Sequence, residues 1–294
     1  MVNQLDLDAA LTFNAIMSIL MLTLIAINLF FIWLVIKSFK QLKPSEATLF
    51  ITDSILFILM CFSSVLQLLA YDKFFRVHKF ICIFSGLVSV ASYFQVSALL
   101  VFHSLIHFSA FNRSKLFIRV NTLVNQKKVV IIYISLVVIL SYTVYLTLFL
   151  IISHQLVFNS SADENIVCNQ NLTKFSVILY SSTNFPWLFL IFIYIYAIIS
   201  FRKLKKASTN IKTTTQNRNL MVMKKFLIYS LVSALICLPF TINIMVGYFC
   251  AQCLSPAISY MLNILSLAGM FIQPIMVLIN HSKLRESFLS LFRK

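Results

Sequence analysis

Apolar residues in this chain do not recur at every third or fourth position; they run on for twenty or more at a time. Seven such runs stand out, near 11–36, 47–70, 80–109, 128–153, 175–200, 223–248 and 257–279, with polar stretches between them. About 20 apolar residues in a helix cross the hydrocarbon core of a bilayer. Barrel strands would alternate apolar and polar residues, and these runs do not. The pattern predicts an all-α, polytopic membrane protein, a bundle of seven transmembrane helices over 11–279. A short N-terminal segment, 1–10, precedes the bundle and a tail, 280–294, follows it. The first run is too long for a signal-peptide core, and no small-residue cleavage site follows it.

Composition agrees. Of 294 residues, 60% are hydrophobic and 11% charged, with a mean hydropathy of +0.93; a soluble domain is roughly half apolar and roughly a quarter charged. Only three glycines occur, Gly86, Gly247 and Gly269, and no two make a GxxxG contact motif. No internal repeat of the transporter kind is visible.

The formal charge of +16 would suggest nucleic acid in a soluble protein. Here it orients the bundle, with the bilayer as partner and no nucleic acid implied. With the N-terminus outside, 20 of the 24 lysines and arginines fall in inner loops or the tail. The positive-inside rule therefore puts the N-terminus outside and the C-terminus in the cytosol. The sequons at Asn159 and Asn171 then lie in the outer loop between spans four and five and are the candidate glycosylation sites. Those at Asn112 and Asn280 would be cytosolic and unused. In the tail, "HSKLRESFLSLFRK" places Leu284, Phe288, Leu291 and Phe292 on one face, which predicts a short amphipathic eighth helix along the membrane.

Of six cysteines, Cys82 lies at the outer end of span three and Cys168 in the long outer loop. A disulfide there would pin the loop across the mouth of the bundle; two unpaired thiols are the alternative. Cys250 and Cys253 share a short outer loop and could close a small ring, while Cys61 and Cys237 read as buried free thiols. The single CxxC has no second pair or histidine nearby, so no metal site is predicted. Asp53, in "LFITDSILFI", is a charge inside a span and marks either function or a buried polar network.

Seven spans, an outside N-terminus, a short basic tail and these cysteines resemble the rhodopsin-like G-protein-coupled receptors along nearly the whole chain. Asn28 in "INLFFIW" is similar to the family's helix-one asparagine and Asp53 in "FITDS" to its helix-two aspartate. Cys82 and Cys168 resemble its disulfide, Pro186 its helix-five proline, and Tyr194 the tyrosine below that proline. Pro239 in "CLPF" resembles the helix-six proline and Pro274 that of helix seven. The resemblance implies that Asp53 faces the bundle centre and shares hydrogen bonds with Asn28 and Gln273. That makes it a structural carboxylate or, alternatively, a sodium site, although Val96 and Gly269 stand near the positions of the family's other sodium ligands.

The chain departs from the family in three places. The helix-three arginine is replaced near Ile106-His107-Phe108, the helix-six tryptophan at Cys237, and the tyrosine after Pro274 by Val277. Such losses resemble divergent chemosensory branches and imply other activating contacts. His103 and His107, one turn apart, are candidates, as core polar contacts or alternatively a metal pair. "LKPSEATL" resembles the first inner loop of type 2 bitter taste and type 1 vomeronasal receptors. "VFHSLIHFSAFNRS" and the tail look more like the taste branch, and the cysteine pair more like the vomeronasal or odorant branches.

The function this implies is detection of small, mostly neutral organic agonists and activation of a heterotrimeric G protein. The predicted pocket lies in the outer half, lined by Ser89, Val90, Tyr93, Ser182, Phe240, Thr241 and Asn263. With Ser89 where amine receptors carry an acid, a cationic amine finds no salt bridge. The alternatives are a membrane transporter or a non-chemosensory receptor of the same class. With no paired carboxylates and no nucleophile motif, the chain reads as no enzyme and takes no cofactor.

Overall fold

A computed structural model describes residues 4–71, 79–111, 115–124, 126–151, 158–159, 169–170, 256–293 and scattered positions within 189–250. Some helix side chains, among them those of Cys82, Ser89 and His107, lie outside that description. The described chain is helical apart from one two-residue antiparallel ladder, which pairs Phe158 with Gln170 and Asn159 with Asn169. The helices are α1 (Gln4–Lys37), α2 (Pro44–Tyr71), α3 (Lys79–Phe111), α4 (Lys115–Val124), α5 (Lys127–Ile151), α6 (Pro256–Asn280) and α7 (Ser282–Ser290). The described positions of 189–202 and 228–246 are helical as well, as is Phe249.

Four stretches are long and apolar enough to cross a membrane: Ala15–Lys37, Pro44–Leu66, Lys127–Leu146 and Met261–Asn280. They coincide with the first, second, fourth and seventh runs of the sequence. The burial pattern inverts that of a soluble protein. Ile132, Leu136, Ile139 and Leu140 on α5, and Ile19, Leu22, Trp33 and Ile36 on α1, face outward. Asn28, Asp53, Gln95, His103 and Gln273 are buried. A soluble monomer rarely exposes so continuous an apolar surface.

α2 packs between α1 and α3, and α3 also meets α4 and α5. Pro44 opens α2, where its missing N–H has no helical partner to lose. Within α2, Thr48 donates to the Pro44 carbonyl (2.7 Å) and Thr52 to that of Thr48 (2.8 Å), so these hydroxyls are satisfied without leaving their own helix.

One apolar cluster fills the bundle around Leu24, Phe57, Leu99, Leu100 and Ile236. A second gathers Phe31, Leu34, Val35, Leu42, Ala47, Phe50, Val277 and Leu284 where α1, α2, α6 and α7 meet. The tail helix therefore folds back onto the bundle through Leu284 rather than projecting from it.

Two elements differ from the sequence-based expectation. α1 starts at Gln4, within the segment read as a separate N-terminus, because no glycine or proline interrupts 4–10. Residues 115–124, read as loop, form α4. Leu116, Val120 and Val124 recur at helical spacing there, and Val124 is buried while Arg119 and Thr122 are exposed.

Candidate functional site: a buried polar seam and a proline junction

Asp53 faces the interior, as a carboxylate among apolar helices must. Its partner is not the expected one. His103 Nε2 lies 2.7 Å from Asp53 Oδ2, with both side chains almost fully buried. Asn28, by contrast, donates to the Leu24 carbonyl of its own helix (2.9 Å). Both amide atoms of Gln273, Asn28 Oδ1 and Asp53 Oδ1 are buried without a hydrogen-bond partner among the described residues. The predicted sharing among Asn28, Asp53 and Gln273 is thus corrected: all three are buried, but His103 makes the bond. A ring nitrogen on α3 reaches across the α2–α3 contact, while the short Asn28 side chain is drawn to its own backbone.

Phe50 holds the histidine in place. It lies three residues before Asp53 on the same face of α2, and its ring stacks on His103 (5.4 Å between centroids, 12° between planes). Phe31 and His281 meet Phe50 edge-on at 6.3 and 5.0 Å. One Asp53 oxygen is thus committed to an internal bond between α2 and α3. Among the described residues no group of three or more His, Cys, Asp or Glu side chains could hold a metal. The alternative metal pair with His107 involves a side chain outside the described residues.

A second site lies around Ile236. Tyr93 Oη donates to the Ile236 carbonyl (3.1 Å), and Ser266 Oγ on α6 donates to the same oxygen. Pro239, buried and helical, follows three residues later and lacks the N–H that would bond the carbonyl of Leu235. Two hydroxyls from other helices therefore converge on the turn that the proline weakens. Gly269 allows the approach: a Cβ there would lie 2.7 Å from Ile236 Cγ1 and 3.0 Å from Ile236 N.

Of the predicted pocket lining, Val90 and Tyr93 are buried, and Thr241 and Asn263 are half-buried. The Tyr93 hydroxyl is committed to Ile236, and Asn263 Oδ1 accepts from Asn243 Nδ2 at 3.3 Å. Ser182, Phe240 and the Ser89 side chain lie outside the described residues, as do Pro186, Tyr194, Asn171 and Cys168. Asn159 sits in the two-residue ladder. The Cys82–Cys168 pairing likewise falls outside what is described. Cys250 is disulfide-bonded and Cys61 is a buried free thiol.

Besides the bonds to Asp53 and to the Ile236 carbonyl, sequence reasoning missed three further polar contacts between helices. Asn243 meets Asn263, Gln95 Nε2 donates to Ser141 Oγ (2.6 Å), and Tyr133 Oη donates to the Ala98 carbonyl (2.9 Å). Each was signalled by a lone amide or phenol inside an apolar run. No protein-family model and no curated protein matches the chain.

Proposed function

We propose that the chain is a chemosensory G-protein-coupled receptor of the rhodopsin-like class, with seven transmembrane helices in the plasma membrane, an extracellular N-terminus and a cytosolic C-terminus. Its agonists are small, mostly neutral organic molecules, and its cytosolic partner is a heterotrimeric G protein. The observation that carries the reading is the junction at Ile236, where hydroxyls from α3 and α6 hold one backbone oxygen beside a buried helical proline. Such a joint has two arrangements, bonded and released. An agonist in the outer half that engages the Tyr93 hydroxyl competes directly with the bond to Ile236. Release frees the stretch around Pro239 to bend, because a proline turn already lacks one helical hydrogen bond.

The Asp53–His103 bond keeps α2 and α3 together while that happens. It sits one turn from His107, where the resemblance places the missing helix-three arginine. At the cytosolic surface, exposed Arg119, Lys127, Lys128, Lys283 and Arg285 suit an acidic crevice partner.

The test is a calcium-release assay in cells expressing the chain with a promiscuous G-protein α subunit. Panels of bitter compounds, odorants and pheromone-like steroids are applied to wild type and to Ser89→Phe, whose bulk fills the predicted pocket. The expected result is an agonist response in wild type that disappears in the variant while surface staining persists. Silence across all panels from well-expressed wild type counts against the reading, and a response unchanged in Ser89→Phe removes the pocket from it.

A further inference from the structure

The end of α1, the 3-10 turn Phe39–Gln41 and α7 meet in a seam whose floor is the second apolar cluster, with Leu284 of α7 fully buried in it. Along this seam runs a chain of aromatic rings. Trp33 lies 5.6 Å from Phe30, Phe30 meets Phe288 edge-on at 6.2 Å, and Phe288 meets Phe292 at 5.1 Å. The strip is not covered by the rest of the protein: Trp33 is 47% exposed and Phe292 73%.

At one end of the strip the charges change character. Lys283 Nζ donates to the Gln41 carbonyl at 2.6 Å, which fixes its ammonium beside the turn that carries Lys40. Lys37 Nζ lies 5.2 Å from the centroid of the Trp33 ring. An ammonium has three donors, so the one bond to Gln41 leaves Lys283 able to bind an anion as well. Among the described residues, Glu46 faces Lys43 at 3.8 Å and Glu286 is exposed on α7.

Lysines above an exposed aromatic strip complement one kind of molecule, an amphiphile with an anionic head and an apolar tail. Trp favours the boundary between headgroup and hydrocarbon, and lysines at a helix end reach up to the headgroups. A soluble acidic peptide would satisfy the lysines and leave the strip bare. We infer that the α1–α7 seam is a binding site for an anionic phospholipid. Lys37, Lys40 and Lys283 hold its headgroup phosphate, and Phe30, Trp33 and Phe288 pack along its chains. The site rests on the membrane reading alone and stands whether or not the chain signals to a G protein.

The test is native mass spectrometry of the full chain in detergent, titrated with phosphatidylinositol phosphate or with phosphatidylcholine of the same acyl chains. Two triple variants are compared with wild type: Lys37→Gln/Lys40→Gln/Lys283→Gln, and a control at the exposed Arg119→Gln/Lys127→Gln/Lys128→Gln. Each basic residue near an anionic surface strengthens attraction roughly fivefold, so the seam variant should bind the anionic lipid on the order of 100-fold more weakly. The control should bind as wild type does. Lys40→Arg/Lys283→Arg keeps both charges and should keep the lipid, which separates lost charge from lost folding. Free inositol phosphate should compete poorly because it lacks chains. Equal loss in the control, no preference of wild type for the anionic lipid, or full displacement by free inositol phosphate would each overturn the site.

Discussion

Replacing Gly269 by alanine sets two effects of opposite sign against each other. In a helix interior, alanine normally stabilises relative to glycine by about 0.5–1 kcal/mol, because the unfolded chain loses freedom. At Gly269 the added Cβ would meet Ile236 Cγ1 at 2.7 Å, Ile236 N at 3.0 Å and the Leu235 carbonyl carbon at 3.1 Å. Ordinary carbon contacts sit at about 3.5–4.0 Å. Two of the three atoms are backbone and cannot rotate away. The third belongs to a fully buried, β-branched side chain that is stiff at χ1.

The strain can be relieved only by moving α6 away from 228–246, which also stretches the bond from Ser266 to the Ile236 carbonyl. Overpacking costs about 1–3 kcal/mol, and immovable neighbours put this case in the upper half. After the gain in propensity, the net loss is about 1–2.5 kcal/mol. That corresponds to a fall of roughly 2–10 °C in the apparent midpoint, taking about 2–4 °C per kcal/mol for a large domain. The assay is labelling of thiols by a maleimide dye on heating, with Cys61, buried and free, as one reporter. All variants are scanned at one rate, since membrane-protein unfolding is rarely reversible. Ile236→Ala in the Gly269→Ala background should cost less than in wild type, with a coupling of about 0.5–3 kcal/mol. A Gly269→Ala protein as stable as wild type, or more stable, would refute the close approach. So would strict additivity of the pair.

Three further outcomes follow from the contacts described. Asp53→Ala removes the acceptor that His103 reaches and should cost about 1–3 kcal/mol, whereas Asp53→Asn keeps an amide oxygen in place and costs less. Detergent-purified yield and midpoint should rank wild type, Asn, Ala, and equal behaviour of the two variants would sink the pairing. Leu284→Ala empties a fully buried position and should cost about 2–4 kcal/mol, loosening α7 enough to speed tryptic cleavage after Lys283 or Arg285 by tenfold or more. Unchanged cleavage would show that Leu284 does not anchor the tail. Gln95→Leu and Ser141→Ala should couple in a double-mutant cycle by about 0.6 kcal/mol and no more than about 1.7 kcal/mol. A coupling of zero would mean that their 2.6 Å contact contributes nothing to stability.

The helices could be read from the chain because a membrane span carries its signal locally. The runs at 47–70 and 80–109 became helices at Pro44–Tyr71 and Lys79–Phe111, and 257–279 became Pro256–Asn280. A run of about twenty apolar residues is helical in lipid wherever its neighbours sit, since only a helix satisfies its backbone within one segment. α4 escaped because it is short and half polar, and its apolar spacing had to be read at the helical period rather than by run length. The burial of Asp53, Asn28 and Gln273 was legible for the same local reason: a strongly polar side chain turns away from lipid.

Which polar group meets which is a different kind of information. It depends on how each helix is rotated about its axis and how far it slides along its neighbour, and neither is written in one helix's own sequence. His103 and Asn28 are both polar and buried, yet among the described residues His103 alone bonds Asp53, because α2 presents Phe50 and Asp53 together to the ring that α3 carries. The Ile236 junction was hidden for the same reason. Pro239 announced a turn with a missing donor, but nothing near it in sequence named Tyr93 or Ser266 as the hydroxyls that converge there. Gly269 was hidden too. In a chain with three glycines, one placed in the middle of an apolar span costs helix stability unless another backbone needs the space. A search for GxxxG pairs passes over such a lone glycine, and its partner, at Leu235 and Ile236, had to come from the fold.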